Sequence, residues 1–210
     1  MKCLAANTAT SVLSVALVDN GNTLFSHTSP ETRDQGNVLI GFVRDGLKKT
    51  GLTYADIDLY AAVTGPGSFT GIRIGLAAMR GFALAAEKPV VGISTFDLFT
   101  QKAQGKKNIV VVESWRDELY FRIEDEDPVN TTPEDFVKTL GDGPFFISGD
   151  AREKLRELLP NSEYAADTPD SVHLARLALL QKPPYTEALP YYLRPADVTL
   201  STRINRKVAD

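Results

Sequence analysis

The run Gly65-Pro66-Gly67-Ser68-Phe69-Thr70-Gly71-Ile72-Arg73-Ile74-Gly75 carries the strongest chemical signal in the sequence. A short apolar run, Leu59 to Val63, enters it, and an alanine-rich stretch, Ile72 to Ala86, leaves it at helical spacing, so the segment reads as a strand-to-helix elbow. Glycines on both sides of Pro66 permit backbone angles that other residues resist, and Ser68 stands where a helix cap belongs. Such an elbow aims backbone N–H groups at one point near the positive end of a helix dipole, where phosphate is the natural guest. Gly65, Gly67, Ser68, Thr70, Gly71 and Arg73 are therefore candidate anion- or nucleotide-binding residues. Tight packing of strand on helix accounts for the same glycines, and the spacing fits neither a Walker A loop nor the Gly-x-Gly-x-x-Gly fingerprint.

Other catalytic arrangements lack parts. The two histidines, His27 and His173, form no His-x-x-x-His pair and no cluster with cysteine, which removes the usual zinc and iron ligand sets. Ser68 directly follows a glycine in Gly67-Ser68-Phe69-Thr70-Gly71, whereas a nucleophile elbow needs Gly-x-Ser-x-Gly. Asp56 and Asp58 lie two apart beside a strand and read as solvent-facing. The acidic run Glu124-Asp125-Glu126-Asp127 reads as a solvated turn, because adjacent carboxylates do not converge on one ion. Cys3 stands alone and reads as a small apolar side chain in a first strand, consistent with a reducing compartment. No catalytic or metal-ligating residue is assigned.

Composition places these residues in a globular chain of 210 residues, 43% hydrophobic and 24% charged, enough for one large domain or two small ones. No apolar run approaches a membrane span and the N-terminus lacks a signal-peptide core, so a cytoplasmic protein without a membrane partner is expected. The net charge of −4 argues against unaided binding to nucleic acid, since the basic runs are short: Lys106-Lys107 and the tail from Arg203 to Lys207, which reads as a solvated terminus.

The elements that must position the elbow can be read along the chain. Strands are expected at Lys2–Asn7, Val12–Val18 and Asn22–His27, with a hairpin turn at Asp19-Asn20-Gly21, then a helix from Asp34 to Lys49 ended by Thr50-Gly51. Gln104-Gly105-Lys106-Lys107 is polar enough for a junction, giving residues 1–103 as a first lobe and 104–210 as a smaller second one. Beyond it, strands are expected at Asn108–Val112, Leu119–Ile123 and Pro144–Ser148, with helices at Pro133–Leu140, Ala151–Leu159 and Ser171–Gln181. The second half thus reads as a degenerate repeat of the first. On the first two helices, Val38, Leu39, Phe42, Val43 and Leu47 make a broad apolar face, and Ala77, Gly81 and Ala85 make a stripe of small residues. Either both faces are buried against their own sheet, or they pair with another chain.

The elbow run resembles the Gly-Pro-Gly-Ser-Phe-Thr-Gly-x-Arg-x-Gly segment of the TsaB (YeaZ) family. Leu4 to Thr10 with Ser14 to Leu17, Pro89 to Thr95, Trp115 to Tyr120, and Leu189 to Arg194 resemble other segments of that family, the weakest match lying between Asp125 and Thr186. The resemblance implies an actin-like (ribonuclease H-like) α/β ATPase fold of two lobes, with mixed sheets, flanking helices and a degenerate second lobe. It implies a non-catalytic subunit required for threonylcarbamoyl transfer to N6 of the adenosine following the anticodon in tRNA. The implied partners are TsaD, bound through the first two helices, and TsaE in a ternary complex, with a homodimer as the other pairing. ATP and magnesium are expected on partner subunits rather than on this chain, and tRNA contact is expected only indirectly. Two departures matter: Asn7 stands where the family has Asp, and Gly36-Asn37 where it commonly has His-Ser. An amide is a poor ligand for a hard cation, so any nucleotide site should be weak. A small-molecule kinase or ATPase of the same fold, and a peptidase, are the rival readings.

Overall fold

Short apolar blocks at the start of the chain form a meander. Strands β1 (Lys2–Asn7), β2 (Leu13–Asp19) and β3 (Asn22–Ser29) are antiparallel neighbours. The β2–β3 turn holds Asn20 at φ 48° and Gly21 at φ 84°, the two left-handed positions that a tight hairpin requires. β1 then pairs in parallel with β4 (Leu59–Gly65), which pairs in parallel with β5 (Val90–Ser94), for a sheet order β3-β2-β1-β4-β5. β1, β2 and β4 are buried almost throughout, as strands covered on both faces must be. The covering helices follow from strand alternation. On β2, Leu17 faces Gly46 of α1 (Gln35–Thr50), while Ser14, three residues away and so on the other face, hydrogen-bonds Ser171 at the start of α5 (Ser171–Leu180). Helix α2 (Phe69–Ala86) lies beside α1.

The computed structural model describes residues 1–29, 34–101, 105–141 and 143–194. The basic tail at Arg203 to Lys207 and the start of the junction at Gln104 lie outside the described residues.

The second sheet repeats the first. Strands β6 (Lys107–Val112), β7 (Leu119–Ile123) and β8 (Val129–Thr131) form an antiparallel meander, and β9 (Phe145–Ser148) with β10 (Glu163–Tyr164) extends it in parallel on the other side of β6. The order β10-β9-β6-β7-β8, read from its other end, is the order of the first sheet. Helix α4 (Pro133–Thr139), capped by Thr132, stands where α1 stands in the first repeat, and its Phe136 stacks on Phe121 with ring centroids 3.9 Å apart. Helix α3 (Thr95–Phe99) follows β5 toward the second sheet.

Three expectations need correction. The helix expected over Ala151–Leu159 is only a 3-10 turn, Arg152–Leu155. Its chain is held compact by the Arg152 guanidinium, which donates to the carbonyls of Gly149 and Ala165 and to Thr168 Oγ1. The strands β8 and β10 were not foreseen, being too short for any periodicity to show. Helix α2, with 18 residues and a mean hydropathy of 1.2, is long and apolar enough to cross a membrane by length and composition, contrary to the sequence reading. In this fold it packs on the first sheet through Ile72, Leu76, Met79 and Ala83. The strands divide between the sheets on either side of the junction, whereas α5 returns from the far end of the chain to cover the first sheet with Leu174, Ala175 and Ala178.

Candidate functional site

The elbow forms as the sequence requires, but its groups point inward. Ser68 caps α2, its Oγ accepting from Gly71 N at 3.1 Å, and Gly65 and Gly67 take φ of 112° and 151°. Opposite them runs the β1–β2 loop. Ser68 N donates to Ala9 O at 2.8 Å, and Thr8 Oγ1 donates to Gly71 O at 2.6 Å. A Cβ on Gly67 would overlap the Ala9 carbonyl oxygen, one on Gly71 would overlap the Thr8 carbonyl oxygen, and one on Gly75 would lie 2.5 Å from Thr8 Oγ1. Thr95 Oγ1 closes the other side by donating to Pro66 O at 2.6 Å. The glycines are thus explained by close backbone approach, and the N–H groups of Ser68 and Gly71 are already engaged within the protein. Of the candidate anion residues, Gly65, Gly67, Ser68 and Gly71 belong to this joint. Thr70 and Arg73 are exposed, and Arg73 lies over the Phe69 ring at 3.7 Å while its Nε donates to Tyr192 Oη at 3.0 Å.

The β1–β2 loop is equally closed. Asn7 is fully buried; its Nδ2 donates to Thr10 Oγ1 at 2.8 Å and its Oδ1 accepts from Ala9 N at 3.0 Å. Next to it the two repeats are joined by Asp150, which composition did not single out. Gly149-Asp150 follows β9 where Gly65 ends β4 and Pro66 follows it, and Gly149 has φ 105°. The Asp150 carboxylate accepts from Ser11 N of the first loop at 3.1 Å and from Glu113 N of the β6–β7 loop at 2.9 Å. Burial pushes its pKa up, the backbone hydrogen bonds pull it back in part, and the neighbouring Glu113 adds to the rise. The signal that could have found it is the repeat itself: a glycine at the end of the fourth strand of each half.

Outside the joint lies an open cleft of about 450 Å³, at the C-terminal end of β4, where ligands bind in open α/β sheets. One wall is Pro66 to Thr70, the second is Ser114 to Arg116 with Tyr120, and the third is Tyr191 to Arg194. The second wall is built by its own turn. Glu113 Oε1 accepts from Ser114 N and Trp115 N, Lys154 Nζ lies 2.7 Å from Glu113 Oε2, and Ser114 Oγ donates to Glu118 O. This holds Trp115 at φ 60°, an uncommon conformation for a bulky residue, with its side chain 48% exposed. Arg194 Nη1 lies 3.2 Å from Glu118 Oε2. Burial raises the Tyr120 pKa, and Arg194 and Arg116 oppose that rise from nearby.

The pairing faces divide. Leu39, Val43 and Leu47 are buried in the first core, with Val38 and Phe42 packed against it, so this part of the candidate interface is occupied by the protein's own sheet. Amphipathic helices cover cores first, and α1 does so with the stripe assigned to a partner. Ala77, Gly81 and Ala85 do face outward on α2 with Leu84, 81% exposed, and Ile40 on α1 is 43% exposed; neither of these two was singled out from sequence. Neither histidine joins a cluster: His27 packs against the Phe42 ring, and His173, its pKa lowered by burial, lies on α5. Among the described residues no group of three His, Cys, Asp or Glu side chains could hold a metal ion.

Residues 31–141, just over half the chain, match the family described as TsaD: tRNA N6-adenosine threonylcarbamoyltransferase. The tRNA threonylcarbamoyladenosine biosynthesis protein TsaB of Escherichia coli is 36% identical over 58% of this chain. The structure of YeaZ from Pseudomonas aeruginosa superposes with a TM-score of 0.74 at 28% identity, covering 91% of this chain and 99% of that one. The chain belongs to the TsaD family of domains, in its TsaB/YeaZ branch. As a TsaB-like chain it spans about half the length of the curated relatives it matches, 54% for the Escherichia coli protein. The actin-like fold is seen again in the activator of 2-hydroxyisocaproyl-CoA dehydratase from Clostridium difficile with bound ADPNP, at TM-score 0.51 and 9% identity, a likeness of fold alone over 85% of this chain and 94% of that one.

Proposed function

We propose that this chain is a non-catalytic subunit of tRNA threonylcarbamoyladenosine biosynthesis that acts by binding and activating TsaD. Membership of the TsaB/YeaZ branch supports the pathway. The observation that carries the mode of action is the outward face of α2, where Leu84, Ala77, Gly81 and Ala85 present apolar and small side chains that cover none of the chain's own core, with Ile40 exposed on the neighbouring helix α1. Small residues let a second helix approach closely, and exposed apolar side chains grouped on one face mark a contact site. The closed joint at Asn7 and Gly71 supports the absence of chemistry on this chain, since the Asn7 amide and the N–H groups of Ser68 and Gly71 are engaged in internal hydrogen bonds. ATP and magnesium are then needed on the partner subunits, with TsaE joining the TsaD complex, and the acidic net charge leaves tRNA contact to those partners. The chain works in the cytoplasm, with a homodimer through the same face as its state without TsaD. A partner that prefers one TsaD conformer shifts its population by the difference in affinity, and about 3 kcal/mol changes it more than a hundredfold.

The test is association. A Cβ on Gly81 meets nothing within 4 Å, so Gly81→Glu leaves the monomer intact. A charge forced unpaired into the contact costs about 3–5 kcal/mol, or two to three and a half decades of affinity. Size-exclusion chromatography with light scattering, run on the chain with TsaD and alone beside circular dichroism, should show a folded variant that no longer pairs. A folded Gly81→Glu protein that pairs and activates threonylcarbamoyl transfer normally would sink the assignment.

A further inference from the structure

The two pairing helices are basic in an acidic chain. The net charge is −4, yet α2 carries Arg73 and Arg80 with no carboxylate, and α1 carries Arg44, Lys48 and Lys49 against Asp45. Lys49 reaches toward β3, its Nζ 5.4 Å from the centre of the Phe25 ring. The other four cations are exposed on the outward side of the helix pair. Asp45 is already matched locally, with Oδ1 3.9 Å from Arg44 Nε. Arg73 donates to Tyr192 Oη, a neutral group, while Lys48 and Arg80 make no hydrogen bond or ion pair among the described residues. Further carboxylates stand only at helix ends, Asp34 before α1 and Glu87 after α2. Among the charges lie Ala77, Gly81 and Leu84, with Ile40 on α1. Cations set around small and apolar side chains suit a protein surface, whereas a phosphate backbone is gripped by clustered Lys and Arg.

A two-fold homodimer brings one patch against itself, so the cations of each copy are turned toward those of the other. Like charges across a contact weaken it and exclude wrong partners, while opposite charges direct the right one. We propose that charge selects the occupant of this face: it binds a partner whose matching surface is acidic, and it opposes a second copy of this chain. This rests on the reading of the α2 face, with α1 beside it, given above. The homodimer is then the weaker pairing, held by the small and apolar side chains against its own charges.

Salt and neutral substitution move the two pairings in opposite directions. Raising ionic strength from about 0.01 M to about 0.15 M shortens the screening length from about 30 Å to about 8 Å. Association of the chain with TsaD, measured by calorimetry, should weaken about tenfold, and self-association, measured by analytical ultracentrifugation, should strengthen severalfold. At low salt the double variant Lys48→Gln with Arg80→Gln, which keeps good helix formers, should do the same: weaker with TsaD and tighter with itself. A loss of both pairings, or of neither, overturns charge selection, as does a double variant with no measurable self-association. Binding of tRNA by the chain alone, lost in the double variant, also overturns it, because the cations would then serve a polyanion. Gly81→Glu separates this inference from the reading beneath it. If that variant stops pairing while salt and the double variant change nothing, the face stands and charge selection falls; if it pairs normally, both fall.

Discussion

Two identical substitutions on one helix should have opposite signs. In Gly71→Ala the new methyl group enters the space of the Thr8 carbonyl, a backbone atom that cannot swing aside as a side chain would. Overpacking a tight joint costs about 1–3 kcal/mol. Displacing the loop also strains the buried bond from Thr8 Oγ1 to Gly71 O, worth about 1 kcal/mol. Gly71 lies in the first turn of α2, where gaining a better helix former returns less than the roughly 1 kcal/mol of a helix interior. The net expectation is a loss of about 1–4 kcal/mol, against a total of about 5–15 kcal/mol for a typical domain. For a chain of this size that lowers Tm by roughly 2–16 °C. In Gly81→Ala, three turns further on, the methyl meets nothing within 4 Å, and the helix should gain about 0.5–1 kcal/mol. Urea denaturation followed by circular dichroism, at a concentration where the protein is monomeric, measures both. Should Gly71→Ala prove as stable as the unaltered protein, the elbow would be an open cradle and its glycines would serve a ligand, contrary to the joint described above.

Three further outcomes follow from buried polar groups. Replacing Asn7 by Asp puts a carboxylate among Thr10 Oγ1 and Ala9 N with no solvent access, so stability should fall by about 1–3 kcal/mol at neutral pH and recover on acidification, and no ATP hydrolysis should appear in a phosphate-release assay. Asp150 has a folded-state pKa raised above 3.8, so the folded protein holds that proton more tightly than the unfolded chain; stability measured against Asp150→Asn should therefore decline as pH rises from about 4 through the raised value and then level off, and a flat difference would refute it. The Cys3 thiol, buried in β1 with its pKa pushed up to about 12, should resist a thiol reagent in the folded protein and react only in denaturant.

Much of the framework was legible because it rests on local rules. The Asn20-Gly21 hairpin, the Ser68 cap, the Gly51 stop of α1 and the apolar blocks of β1, β2 and β4 each declare themselves within a few residues. What escaped the sequence depends on distant chain. The helix expected over Ala151–Leu159 has adequate propensity, yet Arg152 ties its start to Gly149 and to Ala165, ten or more residues onward, and leaves a single turn. The apolar face of α1 was visible, but which side of it meets its own sheet depends on Leu17 and Phe25 packing near Gly46. Ile40 is therefore left exposed on α1. The cleft was invisible as a site because its walls come from residues 66–70, 114–120 and 191–194, whose grouping no spacing rule contains.

A glycine run cannot by itself distinguish a cradle from a joint, since both require that no Cβ be present; the atoms opposite decide. Here the first elbow faces the carbonyls of Thr8 and Ala9, and its counterpart after β9 supplies Asp150 to the N–H groups of both hairpin loops. In the fold's two-lobed plan these loops and elbows meet between the sheets, where a bound anion could otherwise bridge them. The Asp150 carboxylate joins the two sheets there, while the Thr8 and Ala9 carbonyls pack against the elbow of their own sheet. Close packing against Thr8 and Ala9 is thus enough to require glycine at positions 67 and 71 of the elbow.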